Sequence, residues 1–115
     1  MSCDSKYVTV AKRYISENYA RAVTLEEVAG AVNLNPEYFS KLFKNKTGKN
    51  FSAFLQEVRI HAATELFKTT QTSVKEVCQL VGYSDLHYFS NIFKKITGIS
   101  PGMYRKLYMS ADSFL

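Results

Sequence analysis

Two short stretches carry side chains whose types and spacing could do chemistry. Glu37, Ser40, Lys41 and Lys44 recur at three- and four-residue steps, and so do His87, Ser90, Asn91 and Lys94. On a helix that spacing gathers four side chains on one face. An ammonium suits guanine or phosphate, an amide suits adenine, a hydroxyl serves several bases, and a carboxylate accepts from a cytosine amino group. This is the chemistry of recognition rather than of turnover. No carboxylate pair, no Ser or Cys nucleophile with a placed base, no phosphate loop and no zinc spacing stands in the sequence, so neither catalysis nor a cofactor is expected. His87 has only His61 for company, on a different expected helix, and no metal site is expected either.

Isolated lysines on a helix ordinarily mean a solvated face. Repetition argues otherwise here. Tyr38-Phe-Ser-Lys-Leu-Phe-Lys44 and Tyr88-Phe-Ser-Asn-Ile-Phe-Lys94 agree at five of seven positions at an offset of 50, and Thr47-Gly48 is answered by Thr97-Gly98. Upstream, Thr24-Leu-Glu-Glu27 and Ser73-Val-Lys-Glu76 form two potential capping boxes at an offset of 49. Each opens a short helix, to about Ala31 and about Leu80, and a residue that tolerates a left-handed backbone follows, Asn33 or Gly82. A second helix then runs from about Pro36 to Thr47, or from about Asp85 to Thr97, and stops at Gly48 or Gly98. Two dissimilarly joined copies make a duplicated helix-turn-helix, not a solenoid.

Apolar periodicity divides each second helix. Phe39, Leu42, Phe43 and Lys46, and in the second copy Phe89, Ile92, Phe93 and Ile96, fall on the side expected to be buried. The recognition residues named above fall on the other. The remaining elements are expected to be helical too: Lys6 to Tyr19 with Val10, Tyr14, Ile15 and Asn18 at helical spacing, Phe51 to about Lys68 joining the copies, and Pro101 to about Met109. The joining stretch is apolar around much of its circumference and is expected to be wedged between both lobes as a spacer roughly 27 Å long. That is comparable with the roughly 34 Å between successive major-groove faces. The fold class is all-α, with lobe one at about 6–50, the joining helix at about 51–68, lobe two at about 73–108 and a tail at 109–115.

The whole chain sets wider bounds. Its 115 residues, 46% hydrophobic, suffice for one domain or two small packed lobes, and a net charge of +5 favours an anionic partner. Cys3 and Cys78 form no disulfide scaffold, which points to the cytoplasm. Cys78 shares a face with Val74, Val77 and Val81, as a buried thiol would. Tyr38, Tyr88 and Tyr104 read as packing aromatics with hydroxyls at the rim, Arg59 as the partner of a carboxylate, and Arg105 as a carboxylate partner or a DNA contact. A helical protein-interaction module is the competing class; it should expose Leu, Met or Trp anchors rather than polar, basic faces.

The blocks Leu25 to Ala29, Tyr38 to Lys44 with Gly48, Val81-Gly-Tyr83, Tyr88 to Lys94 with Gly98, and Ser100-Pro-Gly-Met-Tyr-Arg105 resemble the DNA-binding domain of AraC/XylS regulators, over about residues 6–108. The resemblance implies seven helices, two lobes on a long helix and one recognition helix per lobe. Its readout positions map to Glu37, Ser40, Lys41 and Lys44, then to Leu86, His87, Ser90, Asn91 and Lys94. It further implies double-stranded DNA as partner, contact with RNA polymerase, a nucleoid location, and a separate sensor or receiver domain in a longer protein. The isolated domain is expected to be monomeric, with dimerisation left to a full-length regulator. Glu37 departs from the family pattern, since an acid stands where a helix start should approach DNA; it either accepts a hydrogen bond from a cytosine amino group or holds the first unit off the phosphates.

Overall fold

A computed structural model describes the backbone of residues 3–113 and the side chains of residues 5–108. The described residues form seven helices and no strand: α1 (Cys3–Asn18), α2 (Leu25–Ala31), α3 (Pro36–Thr47), α4 (Phe51–Thr69), α5 (Val74–Leu80), α6 (Leu86–Thr97) and α7 (Pro101–Ser113). The all-α expectation holds. The last helix runs four residues past the expected end at Met109, so most of the expected tail continues it, while positions 114 and 115 lie outside the described residues. The side chain of Cys3 lies outside them as well. The chain divides into two compact units, the division falling inside α4 after Val58.

In the first unit α1, α2 and α3 pack pairwise. The core consists of Val8, Ala11 and Ile15 from α1, Val28 and Ala29 from α2, and Phe39, Leu42 and Phe43 from α3, closed by Phe51 and Leu55. Phe43 meets the edge of Phe54 at 5.3 Å between centroids, an arrangement that favours ring quadrupoles. Val8, Ala11 and Ile15 set the inward face of α1, and Val10 is 36% exposed.

In the second unit α5, α6 and α7 pack pairwise around aromatic rings. Phe93 stands 5.8 Å from Phe89, 5.7 Å from Phe67 and 5.5 Å from Tyr104. Val77, Cys78 and Val81 are buried. Burial pushes the Cys78 thiol up, and its sulfur lies 3.5 Å from the Tyr83 carbonyl oxygen, so the expected buried thiol is found.

Arg105 sets the path of the chain after α4. Its guanidinium donates to the Phe67 carbonyl at 3.3 Å, the Thr70 carbonyl at 2.7 Å and the Thr72 carbonyl, while lying 4.9 Å from the Phe67 ring centroid. A planar fork of donors is suited to collecting carbonyls that a helix end leaves unpaired. Of the two roles left open for Arg105, the carboxylate partner is not what is seen: the guanidinium binds backbone carbonyls. Arg59, expected to meet a carboxylate, has its guanidinium 5.3 Å from the centroid of Tyr83.

Candidate nucleic-acid interface

The helix that presents each polar face is fixed at both ends by local chemistry. At the start of α3 the Asn35 side-chain oxygen accepts the Glu37 amide at 2.8 Å and the Tyr38 amide at 3.2 Å, with Pro36 at the first helical position. At the start of α6 the Asp85 carboxylate accepts the Tyr88 amide at 3.0 Å. Both helices stop in a left-handed glycine, Gly48 at φ +80° and Gly98 at φ +93°. Beside each stop a threonine hydroxyl makes the same clasp. Thr47 Oγ1 lies 2.8 Å from the Phe43 carbonyl oxygen and 3.0 Å from that of Lys49, and accepts the Lys49 amide at 3.2 Å. Thr97 does so with Phe93 and Ile99 at 2.8, 3.0 and 3.4 Å.

The helix before each of these is capped too, though not equally. Around α5 the full capping box forms: the Glu76 amide donates to Ser73 Oγ at 3.1 Å and the Ser73 amide to Glu76 Oε1 at 3.3 Å. Around α2 only half forms. Thr24 Oγ1 accepts the Glu27 amide at 3.0 Å, but the Glu27 carboxylate turns to Arg21 and to the Tyr14 hydroxyl, 2.5 Å away. A charged guanidinium outcompetes a neutral backbone amide for a carboxylate. Arg21 first, then Tyr14, hold the Glu27 carboxyl down at about 2. The tight turns follow expectation, with Asn33 at φ +59° and Gly82 at φ +103°.

Between these fixed ends Phe39 and Phe43 of α3, and Phe89 and Phe93 of α6, point inward and are fully buried. Glu37, Lys41 and Lys44 are exposed and Ser40 is half-buried; His87, Asn91, Lys94 and Leu86 are exposed and Ser90 is half-buried. Each helix therefore gathers its own four spaced positions on one outward face, with Leu86 beside the α6 face. Seven residue-to-residue steps at 1.5 Å rise make each face about 10 Å long, or about three base pairs of duplex. Lys46 and Ile96, expected on the buried side, are exposed, Ile96 at 40%. The core tapers before the last helical turn, so the periodic extrapolation outruns it.

Tyr38 and Tyr88 are the larger departure. Read as packing residues, they stand 52% and 48% exposed. They open a second outward column on each helix, Tyr38, Lys41 and Asn45 on α3 and Tyr88, Asn91 and Lys95 on α6, all exposed. Aromatic type masked this; identity at matched repeat positions was the available signal. Lys41, Lys44, Asn45 and Gly48 also line a shallow depression at the end of α3. Charge is distributed differently along the two helices: α3 carries Glu37 in its first turn and Lys44 and Lys46 in its last, whereas α6 has no acid in its first turn and Lys94 and Lys95 in its last.

Two helix-turn-helix units with outward polar and basic second helices narrow the possibilities, and likeness to known proteins decides among them. The family profile described as "Helix-turn-helix domain" matches residues 28–107. The C-terminal domain of AraT, a response regulator from Geobacillus stearothermophilus, superposes with a TM-score of 0.85 at 37% identity, over 92% of this chain and 88% of that one. The chain belongs to the AraC/XylS-type helix-turn-helix family of DNA-binding domains. This AraC-type domain is also 40% identical over 97 residues to the HTH-type transcriptional regulator YijO of Escherichia coli, covering 84% of this chain and 34% of that protein. Against the HTH-type transcriptional regulator YfiF of Bacillus subtilis it is 36% identical over 104 residues, 90% of this chain and 33% of that one. The AraC-type domain thus spans about a third of the length of these curated relatives.

Proposed function

We propose that the chain reads double-stranded DNA sequence-specifically for transcription regulation, setting α3 and α6 into adjacent major grooves on one side of the duplex. The observation that carries this is the duplicated outward face: two independently capped helices expose polar and basic groups at matched positions while burying phenylalanines at matched positions behind them. Lys41, Lys44 and Lys94 supply phosphate or guanine contacts, and Ser40, Ser90 and Asn91 read base edges. His87 contacts a base or phosphate, Leu86 packs on a thymine methyl, and Glu37 accepts from a cytosine amino group. Lobe one at about 6–50, the joining helix at about 51–68 and lobe two at about 73–108 serve this as one DNA-binding domain.

The role is binding rather than catalysis, in keeping with relatives that are transcription regulators. One relative, AdaA of Bacillus subtilis at 29% identity, is a bifunctional transcriptional activator and DNA repair enzyme. No helix of the described residues is long and apolar enough to cross a membrane, and the domain acts in the cytoplasm, at the nucleoid. RNA polymerase is its protein partner, as the likeness to AraC-type regulators implies. The isolated domain binds as a monomer.

Selection of sites from a random duplex library at about 150 mM salt, where weak phosphate-only binding is suppressed, tests the reading. An asymmetric motif with two halves about 10 base pairs apart supports reading by both helices of one monomer. Enrichment of one half alone removes one helix from the readout, and no enrichment removes DNA reading by this domain.

A further inference from the structure

The first turn of α3 has no backbone donor left for DNA. Pro36 has no N–H, the Glu37 and Tyr38 amides donate to the Asn35 side chain, and the Phe39 amide donates to the Asn35 carbonyl at 2.8 Å. The amides of that turn, which at a helix start commonly help to capture a phosphate, are spent within the helix and its cap. The side chain in that turn that is charged, Glu37, repels phosphate. Tyr38 is the remaining polar side chain there, and it is a donor. Among the described residues no hydrogen bond or ring contact engages its side chain, and more than half of its surface faces solvent.

A large ring left in water forgoes the stabilisation that burial would give. Here the same residue type is left out at the same position in both copies, for Tyr88 stands 48% exposed even with its ring 5.9 Å from that of Tyr83. Tyr38 also shares its column with Lys41 and Asn45, three and seven residues further on, so it flanks the proposed reading face rather than opposing it. We infer that the Tyr38 hydroxyl is a phosphate-anchoring contact of the first unit, donating to the DNA backbone at the groove edge where the capped helix start and Glu37 cannot. This rests on the DNA-binding reading above and adds a positioning residue to it.

The test is Tyr38→Phe, which keeps the ring and removes the donor. Affinity is measured by fluorescence anisotropy on a duplex carrying the selected site and on a random-sequence duplex, across a salt series, with Lys44→Ala alongside. Tyr38→Phe is expected to weaken both duplexes by the same factor, about 10-fold, the low end of what one hydrogen bond to a charged acceptor contributes. The salt slope stays unchanged, because a phenol releases no counterions, whereas Lys44→Ala lowers it by about 0.9. The melting temperature stays that of the wild type. Unchanged affinity on both duplexes overturns the inference, and so does a loss confined to the selected site, which would make Tyr38 a base contact. If the wild-type protein binds neither duplex, the DNA-binding reading fails first; if it binds and Tyr38→Phe binds equally, this inference fails alone.

Discussion

Replacing Arg105 with alanine is expected to lower the melting temperature by about 12 °C without a direct effect on DNA binding. The guanidinium serves three carbonyls, of Phe67, Thr70 and Thr72, from a half-buried position. At about 1 kcal/mol net for each bond, alanine loses about 3 kcal/mol, and each kcal/mol shifts the midpoint of a domain this size by about 4 °C. Lysine at the same position keeps the charge near the end of α4 but offers one compact head in place of a planar fork. It should recover about one bond, for a loss of about 8 °C. Melting followed by far-ultraviolet circular dichroism gives both values, and anisotropy well below the lower midpoint gives DNA affinity with its salt slope. An alanine variant that melts within about 2 °C of the wild type would refute the carbonyl-clasp argument, since no partial rearrangement replaces three acceptors' partner so cheaply. A reduced salt slope in the folded variant would instead return Arg105 to the DNA.

The Glu27 carboxyl, held near 2 by Arg21 and Tyr14 against an ordinary value of 4.5, binds its proton more readily in the unfolded chain. Its stabilisation is therefore complete above about pH 4.5 and is lost as pH falls towards 2; melting temperatures of Glu27→Gln should be lower than wild type at neutral pH and converge with it in acid, and parallel curves would contradict this. Gly48→Ala and Gly98→Ala meet no atom within 4 Å but keep positive φ, so each should cost about 1 kcal/mol, seen as a shift of about 4 °C, from backbone strain alone. Asn91→Ala should relax preference at one or two base pairs in a binding-site selection, while Lys94→Ala should weaken every duplex and lower the salt slope by about 0.9. Equal losses on specific and random duplexes for both variants would erase that division of labour.

What could be read from the chain before its structure was mostly punctuation. Pro36, Ser73 with Glu76, and the glycines at 48, 82 and 98 act within a few residues, so their conformations follow from local chemistry, and the outward positions between them follow from periodicity. The misreadings arose where distant groups intervene. Glu27 leaves its capping box because Arg21, six residues away, competes for it. Lys46 and Ile96 follow the periodic stripe past the edge of the core. Tyr38 and Tyr88 were assigned inward on residue type, although nothing in residue type says how far a small core extends.

The paired threonine clasps bear on how such a domain diversifies. Each closes its helix with a hydroxyl and two backbone carbonyls, and asks nothing of the side chains around it: Lys46 and Ile96, Asn45 and Lys95, Lys49 and Ile99 already differ between copies sharing the same clasp. The frame of each copy is thus written in one alphabet and its legible surface in another. Letters in the second can be exchanged between copies, or drift after duplication, without a compensating edit in the first, so a single ancestral unit could become two readers of different words.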